Sequence, residues 1–393
     1  ESNSYIINPL TGNVQATYGV PVFRVNRFWG SEDGTKSPAI TPTTEWEAEV
    51  IWQDKAGEGL INFCESNGTV IDAGKYAGTG ENNFYFSPAG PAASGNVLIG
   101  VKRKGAPASE GYLWSWHLWL TNYNPDAAPP SWQEDVYSYL VAGGAVHRYA
   151  GAMWSTSYPD KFIMDRNLGA TSATRADGMA KTGGLHYQFG RKDPFPAAGV
   201  QLYNVSGAAV TAFTATAGDG IVVLSGATAI KTAVQHPYIF YAEGSDWVQS
   251  NPYTANSWNN PGWYTSVPKA GKSLFDPCPP GWRLPVDGAW ATFSLDNVHP
   301  SDDGFAAYTS IAGWEFYLDN VLKNARAYHP ATGYRTPTKN GNMDGGGYGA
   351  YIWSSTPLTG NSVQTWYFLA RESSVGHSYM PRSYGNSVRC IQE

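Results

Sequence analysis

Apolar positions in the first ~125 residues repeat with the period of β-strands. Trp46-Glu47-Ala48-Glu49-Val50 alternates apolar and polar, then runs on into Ile51 and Trp52. NFYF at 83–86, VLIGV at 97–101 and YLWSWHLWL at 112–120 are further strand-like runs. Turn signals separate them, at Asn67-Gly68, Gly78-Thr79-Gly80 and Pro88-Ala89-Gly90. Successive side chains of a strand face opposite sides, so this alternation predicts half-buried strands joined by tight turns. Several of them at such spacing predict a β-sandwich. No stretch here carries a helical period.

The run 122–132 holds Asn124-Pro125-Asp126 and Pro129-Pro130, which favour extended backbone over helix. We therefore divide the chain into a β-domain at 1–130, a linker at 131–145 and a second domain at 146–393, with Ala142-Gly143-Gly144-Ala145 at its threshold. The second domain is mixed. Strand-like pieces are FIM at 162–164, IVVL at 221–224, YIW at 351–353, TWYFL at 365–369 and SVRCI at 387–391. A helix is predicted from Gly288 to about Leu295, with Asp287 as N-cap after Pro285. A second is predicted around Glu315 to Lys323. The fold class expected is an all-β sandwich followed by an α+β, loop-rich domain. No fixed-period repeat is present, which disfavours solenoids and propellers.

Composition narrows the function. Only 15% of the 393 residues are charged, while 16 Trp, 25 Tyr and 44 Gly suit short strands and long ordered loops. A net charge of −6 with no basic run gives no case for nucleic acid or an anionic membrane surface. No apolar run approaches the ~18 residues of a membrane span, so no transmembrane segment is expected. The start at Glu1 is expected to follow removal of any signal peptide or lipid anchor.

Three cysteines, Cys64, Cys278 and Cys390, show no metal-type spacing. Their odd number allows one disulfide, which we place at Cys278–Cys390, leaving Cys64 as a buried thiol. The alternative is three buried cysteines acting as small hydrophobes. A disulfide persists only in an oxidising compartment, which would place the chain outside the cytoplasm.

The densest local pattern is DPCPPGWRLP at 276–285. Its prolines leave the backbone little entropy to lose on folding. Trp282 and Leu284 are expected in the core, with Arg283 pointing elsewhere. This motif follows MDRNLGA at 164–170 and YQFGRKDP at 187–194, and precedes WSST at 353–356 and SVRC at 387–390. In that order the five motifs resemble the Fibrobacter succinogenes major paralogous domain, over roughly 146–393. The stretches GNVLIGVKRKG and LWSWHLWLTNYNP resemble, less specifically, the β-domain that precedes it in cell-adhesion and pilus-tip proteins of Bacteroidales. The resemblance implies a C-type-lectin-like fold related to formylglycine-generating sulfatase modifiers. It also implies export to the bacterial surface, in the outer membrane or a fimbria, and adhesion.

Polar motif positions Asp165, Arg166, Asn167, Arg191, Asp193 and Arg283 are expected to form a structural network ordering loops, rather than a ligand site. Ser354 and Ser355 lack a nucleophile elbow, and the seven histidines show no zinc spacing. The cysteines that sulfatase modifiers need are used in the disulfide or lie in the other domain. The chain is therefore not expected to be an enzyme. No cofactor is expected; calcium has weak candidates in Asn340, Asn342 and Asp344, and in Asp302-Asp303, although Asn/Asp/Gly clusters commonly form plain turns. Long irregular stretches at about 200–275 and 296–350 are the expected binding loops. Trp258, Trp263, Tyr264, Tyr334 and Tyr348 are the candidate contacts, because flat rings suit sugar faces and protein surfaces.

Function is accordingly expected to be binding: an adhesin or lectin-like protein, with a glycan or protein ligand on host or neighbouring cells. The alternative is a structural fimbrial subunit that meets other pilin subunits by strand addition.

Overall fold

The computed structural model describes residues 2–9, 16–31, 34, 36–57, 59–71, 74–125, 146–148, 162–210, 228–241, 245–247, 272–290, 293–299, 304–317, 326–358 and 363–393. Most of its regular structure is β-sheet. It forms two compact units. The N-terminal unit is Asn3–Asn122 with Gln201–Ile239; the C-terminal unit is Glu1–Ser2, Tyr123–Val200 and Phe240–Glu393. Residues 201–239, which the sequence pattern assigns to the second domain, thus belong to the first unit. There Tyr203 pairs with Gln53, a long-range pairing that leaves no local sequence signature. The linker at 131–145 and the IVVL run at 221–224 lie outside the described residues.

In the N-terminal unit, a seven-stranded sheet runs Ser4–Ile7, Trp114–Leu120, Gly95–Arg103, Glu45–Gln53, Leu202–Tyr203, Ala209–Val210, and Lys75–Thr79 also pairs with Glu45–Gln53. The predicted alternation is visible: Trp46 and Ala48 are fully buried, while Glu45 is exposed and Glu47 and Glu49 lie half-buried on the other face. A second sheet of Tyr18–Pro21, Asn83–Pro88 and Ile61–Phe63 packs on the first, with the Phe84 ring 5.8 Å from that of Trp116. Burying such rings is worth roughly 2–3 kcal/mol each. The unit also holds one eight-residue helix, Thr228–Gln235, with buried Ile230, Ala233 and Val234.

In the C-terminal unit, an eight-stranded sheet includes Pro194–Pro196, Leu185–Gln188, Gly385–Ser387, Gly349–Pro357, Gln364–Arg371 and Ser374–Pro381 in that order. A four-stranded sheet joins Trp282–Arg283, Ile391–Gln392, Phe162–Met164 and Val146–Arg148. Between them lies a core in which Trp290 stacks on Phe368 at 4.9 Å and Phe293 meets Phe316 at 5.2 Å.

Two predicted helices are replaced. Around 288–295 there are two 3-10 turns, Asp287–Trp290 and Leu295–Asn297. The Phe293 amide donates to the Trp290 carbonyl three residues back, and Ser294 Oγ accepts the Asp296 amide, so local bonds stop a regular helix. At 313–317 the chain is a strand, Gly313–Tyr317, paired antiparallel with Arg326–Pro330. Trp314 and Phe316 alternate inward there, and β-favouring aromatics win over the weak helical pattern. Residues 318–325 lie outside the described set.

Cys278 and Cys390 are joined by a disulfide, with Cα atoms 6.0 Å apart and both side chains fully buried. Asp276 organises the loop around it: one carboxylate oxygen accepts the Cys278 amide at 2.8 Å, the other the Leu284 amide at 3.0 Å. Lys272 donates to the Cys278 and Pro279 carbonyls, and burial pushes its pKa down to about 8. Trp282 and Leu284 are fully buried, and Arg283 is buried too, at 6% exposed. Cys64 is a buried free thiol.

Candidate functional site

Of the polar motif residues, Asp165, Asn167, Arg191, Asp193 and Arg283 are buried and Arg166 is half-buried. Arg166 forks onto Asp165 through Nε at 2.6 Å and Nη2 at 3.0 Å, and its guanidinium lies 4.2 Å from the Tyr123 ring centre. Asn167 donates to the Gly183 carbonyl and accepts from Arg389 Nε at 3.2 Å. Arg389, 1% exposed, also donates to the Tyr328 carbonyl at 2.7 Å and contacts the His329 ring. It bridges segments 222 and 61 residues away, a hub not singled out from sequence. Arg191 and Lys192 both meet Asp193, at 3.6 and 2.6 Å, and Arg191 lies among the rings of Phe195, Tyr241 and Trp247. Burial lowers the pKa of both cations, and the Asp193 charge opposes that shift. Groups so enclosed tie together segments far apart in the chain.

The WSST segment is buried over Trp353, Ser354 and Ser355. Trp353 Nε1 donates to the Tyr187 carbonyl, Ser354 Oγ donates to the Trp366 carbonyl, and both serines are buried. Among the calcium candidates, Asp344 is engaged by Lys339 at 2.9 Å, which lowers its pKa, and accepts the Gly345 amide. Asn340 takes the left-handed conformation that ends a 3-10 turn. Among the described residues, no group of three or more His, Cys, Asp or Glu could hold a metal ion. Asp302-Asp303, Trp258, Trp263 and Tyr264 lie outside the described residues.

Tyr334 and Tyr348 are brought onto one face of the C-terminal unit, together with residues the sequence pattern did not select. Tyr308, 74% exposed, stacks on Tyr348, 41% exposed, at 6.1 Å and 29°. The Arg371 guanidinium lies 4.8 Å from the Tyr348 ring centre and donates to the Tyr351 hydroxyl at 2.8 and 3.1 Å. Tyr351 is buried, which drives its pKa up to about 12, and its ring supports Tyr334 at 4.7 Å. Tyr384 lies 5.7 Å beyond Tyr334. The row is thus exposed at one end and anchored in the sheet at the other.

The exposed end is held by its backbone. Tyr308 sits at φ 63°, a left-handed conformation that a bulky residue adopts only under constraint. Its amide donates to the Gly347 carbonyl at 2.8 Å, and Gly347 in turn donates to Ala331. At Gly347 a Cβ would fall 2.7 Å from the Tyr308 Cα, so only glycine permits the two loops to approach this closely. Arg175 clasps the other side of the Tyr308 loop, donating to the Gly304 and Ile311 carbonyls. An exposed ring that is fixed before any encounter loses little entropy on contact. With a cation beside it, such a surface can stack on a flat or weakly polar face and donate to an acceptor at its edge. No family model matches the chain, and no match is found among the curated proteins or the solved structures.

Proposed function

We propose that this chain is a binding protein of the bacterial surface, adhesin or lectin-like, that engages a glycan or protein ligand through the Tyr308–Tyr348–Arg371 face. The observation that carries the reading is the rigid exposure of Tyr308 and its stack on Tyr348. Solvent-exposed aromatics held in strained backbone have no folding benefit of their own; a partner gives them one. The buried disulfide supports export, since it endures only where thiols are oxidised. It also supports a binding role over catalysis, because it uses both cysteines of the C-terminal unit. We read that unit as C-type-lectin-like. Pairing of its early strand at Ile163 with its last at Ile391, across a long loop-rich middle, favours that reading.

A structural role in a fimbria is the second reading. It is favoured by the four-residue strand Ser4–Ile7, parallel to Trp114–Leu120 and outermost in its sheet among the described residues, a position at which another subunit's strand could add. A glycan array, run beside capture of neighbouring surface subunits, separates the two. Binding on the array should fall at least tenfold in Tyr308→Ala/Tyr348→Ala, with melting unchanged. Undiminished array binding by that double variant rules the tyrosine face out.

A further inference from the structure

We infer that the N-terminal unit carries a second ligand site, a pocket for a neutral saccharide between the strand Glu45–Gln53 and the segment ending at Tyr238. The cavity measures about 480 Å³, within the usual range for small-ligand sites and large enough for a mono- or disaccharide.

Its walls are built by specific local departures. Pairing between Glu45–Gln53 and Gly95–Arg103 steps from Val50↔Ile99 to Trp52↔Leu98, so Ile51 is an extra, bulged residue. On the partner strand Gly100, paired with Glu49, leaves room for a ring: a Cβ there would lie 2.4 Å from Tyr112 and 2.8 Å from Ile51. The Tyr112 ring therefore packs where a side chain at position 100 would stand. Gly111, at φ 70°, lets the chain touch the end of the helix Thr228–Gln235, where a Cβ would meet the Gln235 carbonyl at 2.4 Å. Tyr112 donates its amide to that carbonyl at 2.8 Å, and Gln235 Nε2 returns a bond to the Glu110 carbonyl at 2.7 Å. These ties set the Tyr238 ring 6.4 Å from Tyr112 at 84°, forming an aromatic corner.

Charge decides the ligand class. Glu49 Oε1 accepts from the Tyr112 hydroxyl at 2.8 Å and from Lys102 at 2.6 Å, while Oε2 meets Lys75 at 3.0 Å. Glu47 lies 3.7 Å from Lys75, so two carboxylates balance two ammonium groups. Burial raises the Glu49 pKa, but the bonds from Lys102, Lys75 and Tyr112 outweigh it and keep the carboxylate ionised. Of these four charged groups, Glu49 and Lys102 line the cavity and their charges cancel, so it offers no net charge to recruit an ion, yet presents a carboxylate and an ammonium beside aromatic faces. Trp52 lines the same cavity, and its indole N–H has no acceptor among the described residues. A sugar ring has this pairing of surfaces, an apolar C–H face and a rim of hydroxyls that both donate and accept.

The inference stands apart from the tyrosine face of the C-terminal unit. The test is saturation-transfer NMR and calorimetry on the full chain with methyl glycosides of glucose, galactose, mannose and N-acetylglucosamine and with cellobiose and lactose. At least one should bind, with affinity reduced tenfold or more in Tyr112→Ala and in Tyr238→Ala. Ala108→Arg, at an exposed position on the rim, should block binding while leaving the melting temperature in place, and covers the case in which a tyrosine variant misfolds. Tyr308→Ala/Tyr348→Ala should retain binding to this pocket. Absence of transfer from every probe at millimolar concentration, or binding that survives Ala108→Arg, overturns the inference.

Discussion

Replacing Cys278 and Cys390 together by alanine should destabilise the C-terminal unit by about 5 kcal/mol. The two residues are 112 apart in sequence, and closing a loop of that length lowers the entropy of the unfolded chain by roughly 16 cal/mol/K. The folded side changes little. Trp282↔Gln392, Arg283↔Ile391 and Ile163↔Ile391 still pair, and Asp276 still binds the Cys278 and Leu284 amides. These contacts can hold the loop once folded, so the variant should fold, but from a more expanded unfolded state. With a urea slope of ~2–3 kcal/mol/M, the midpoint should fall by roughly 2 M. Urea unfolding read by hydrogen exchange assigns the transition to one unit, and the N-terminal unit should not move. Reduced wild-type protein should match the double variant. A loss below ~1 kcal/mol would refute the reasoning, since the 278–390 loop would then be closed in the unfolded ensemble without the bond. Tyr308, Tyr334, Tyr348, Arg371 and Tyr384 all lie inside this loop, and with its ends still paired their exchange should speed up only through global unfolding of the unit.

His186 is fully buried, with neither ring nitrogen partnered among the described residues, and burial followed by the Arg335 charge holds its pKa well below the usual range. His186→Leu should therefore raise stability by ~1–3 kcal/mol, and a lowered melting temperature would show that the imidazole is satisfied after all. In the N-terminal unit, burial depresses His117 to about 3 from 6.5, so the unfolded chain takes up a proton that the folded chain refuses. Stability is then lost as pH falls through 6.5 towards 3, by up to ~1.4 kcal/mol per pH unit. Asp54, raised by burial to about 6 from 3.8, binds its proton more tightly when folded and offsets that loss between those two values. Wild type should be nearly flat in this window and Asp54→Asn steep; equal slopes in chemical denaturation at pH 4, 5 and 6 would dismiss the pairing of effects.

Strands were legible where side-chain period and local burial agree. Glu45–Gln53 shows its two faces in sequence because Trp46 and Ala48 point to one core and the glutamates to the other side. Helices failed at 288–290, 293–295 and 315–317 because apolar residues there serve a core assembled from distant strands, and spacing alone does not reveal which elements they meet. The tyrosine face was half legible. Composition drew attention to Tyr334 and Tyr348, but Tyr308 and Arg371 join them only through the contact of two loops at Gly347, about 40 residues along the chain from Tyr308.

The saccharide pocket was missed altogether, yet the sequence holds its signal. A glycine inside the apolar run VLIGV weakens a strand unless another group needs the space. Gly100 yields that space to Tyr112, from the next strand's approach, and Ile51 bulges to complete the rim. Had Gly100 been read as a place vacated for a ring, the partner to seek would have been an aromatic at the following turn. Only the return of residues 201–239 to this unit lay beyond such reasoning, because Tyr203↔Gln53 and Tyr112–Tyr238 join segments more than a hundred residues apart. A glycine in a strand that an aromatic covers, beside a bulge, is thus a sequence-level pointer to a cavity, and substituting Gly100 by alanine should displace Tyr112 and close this one.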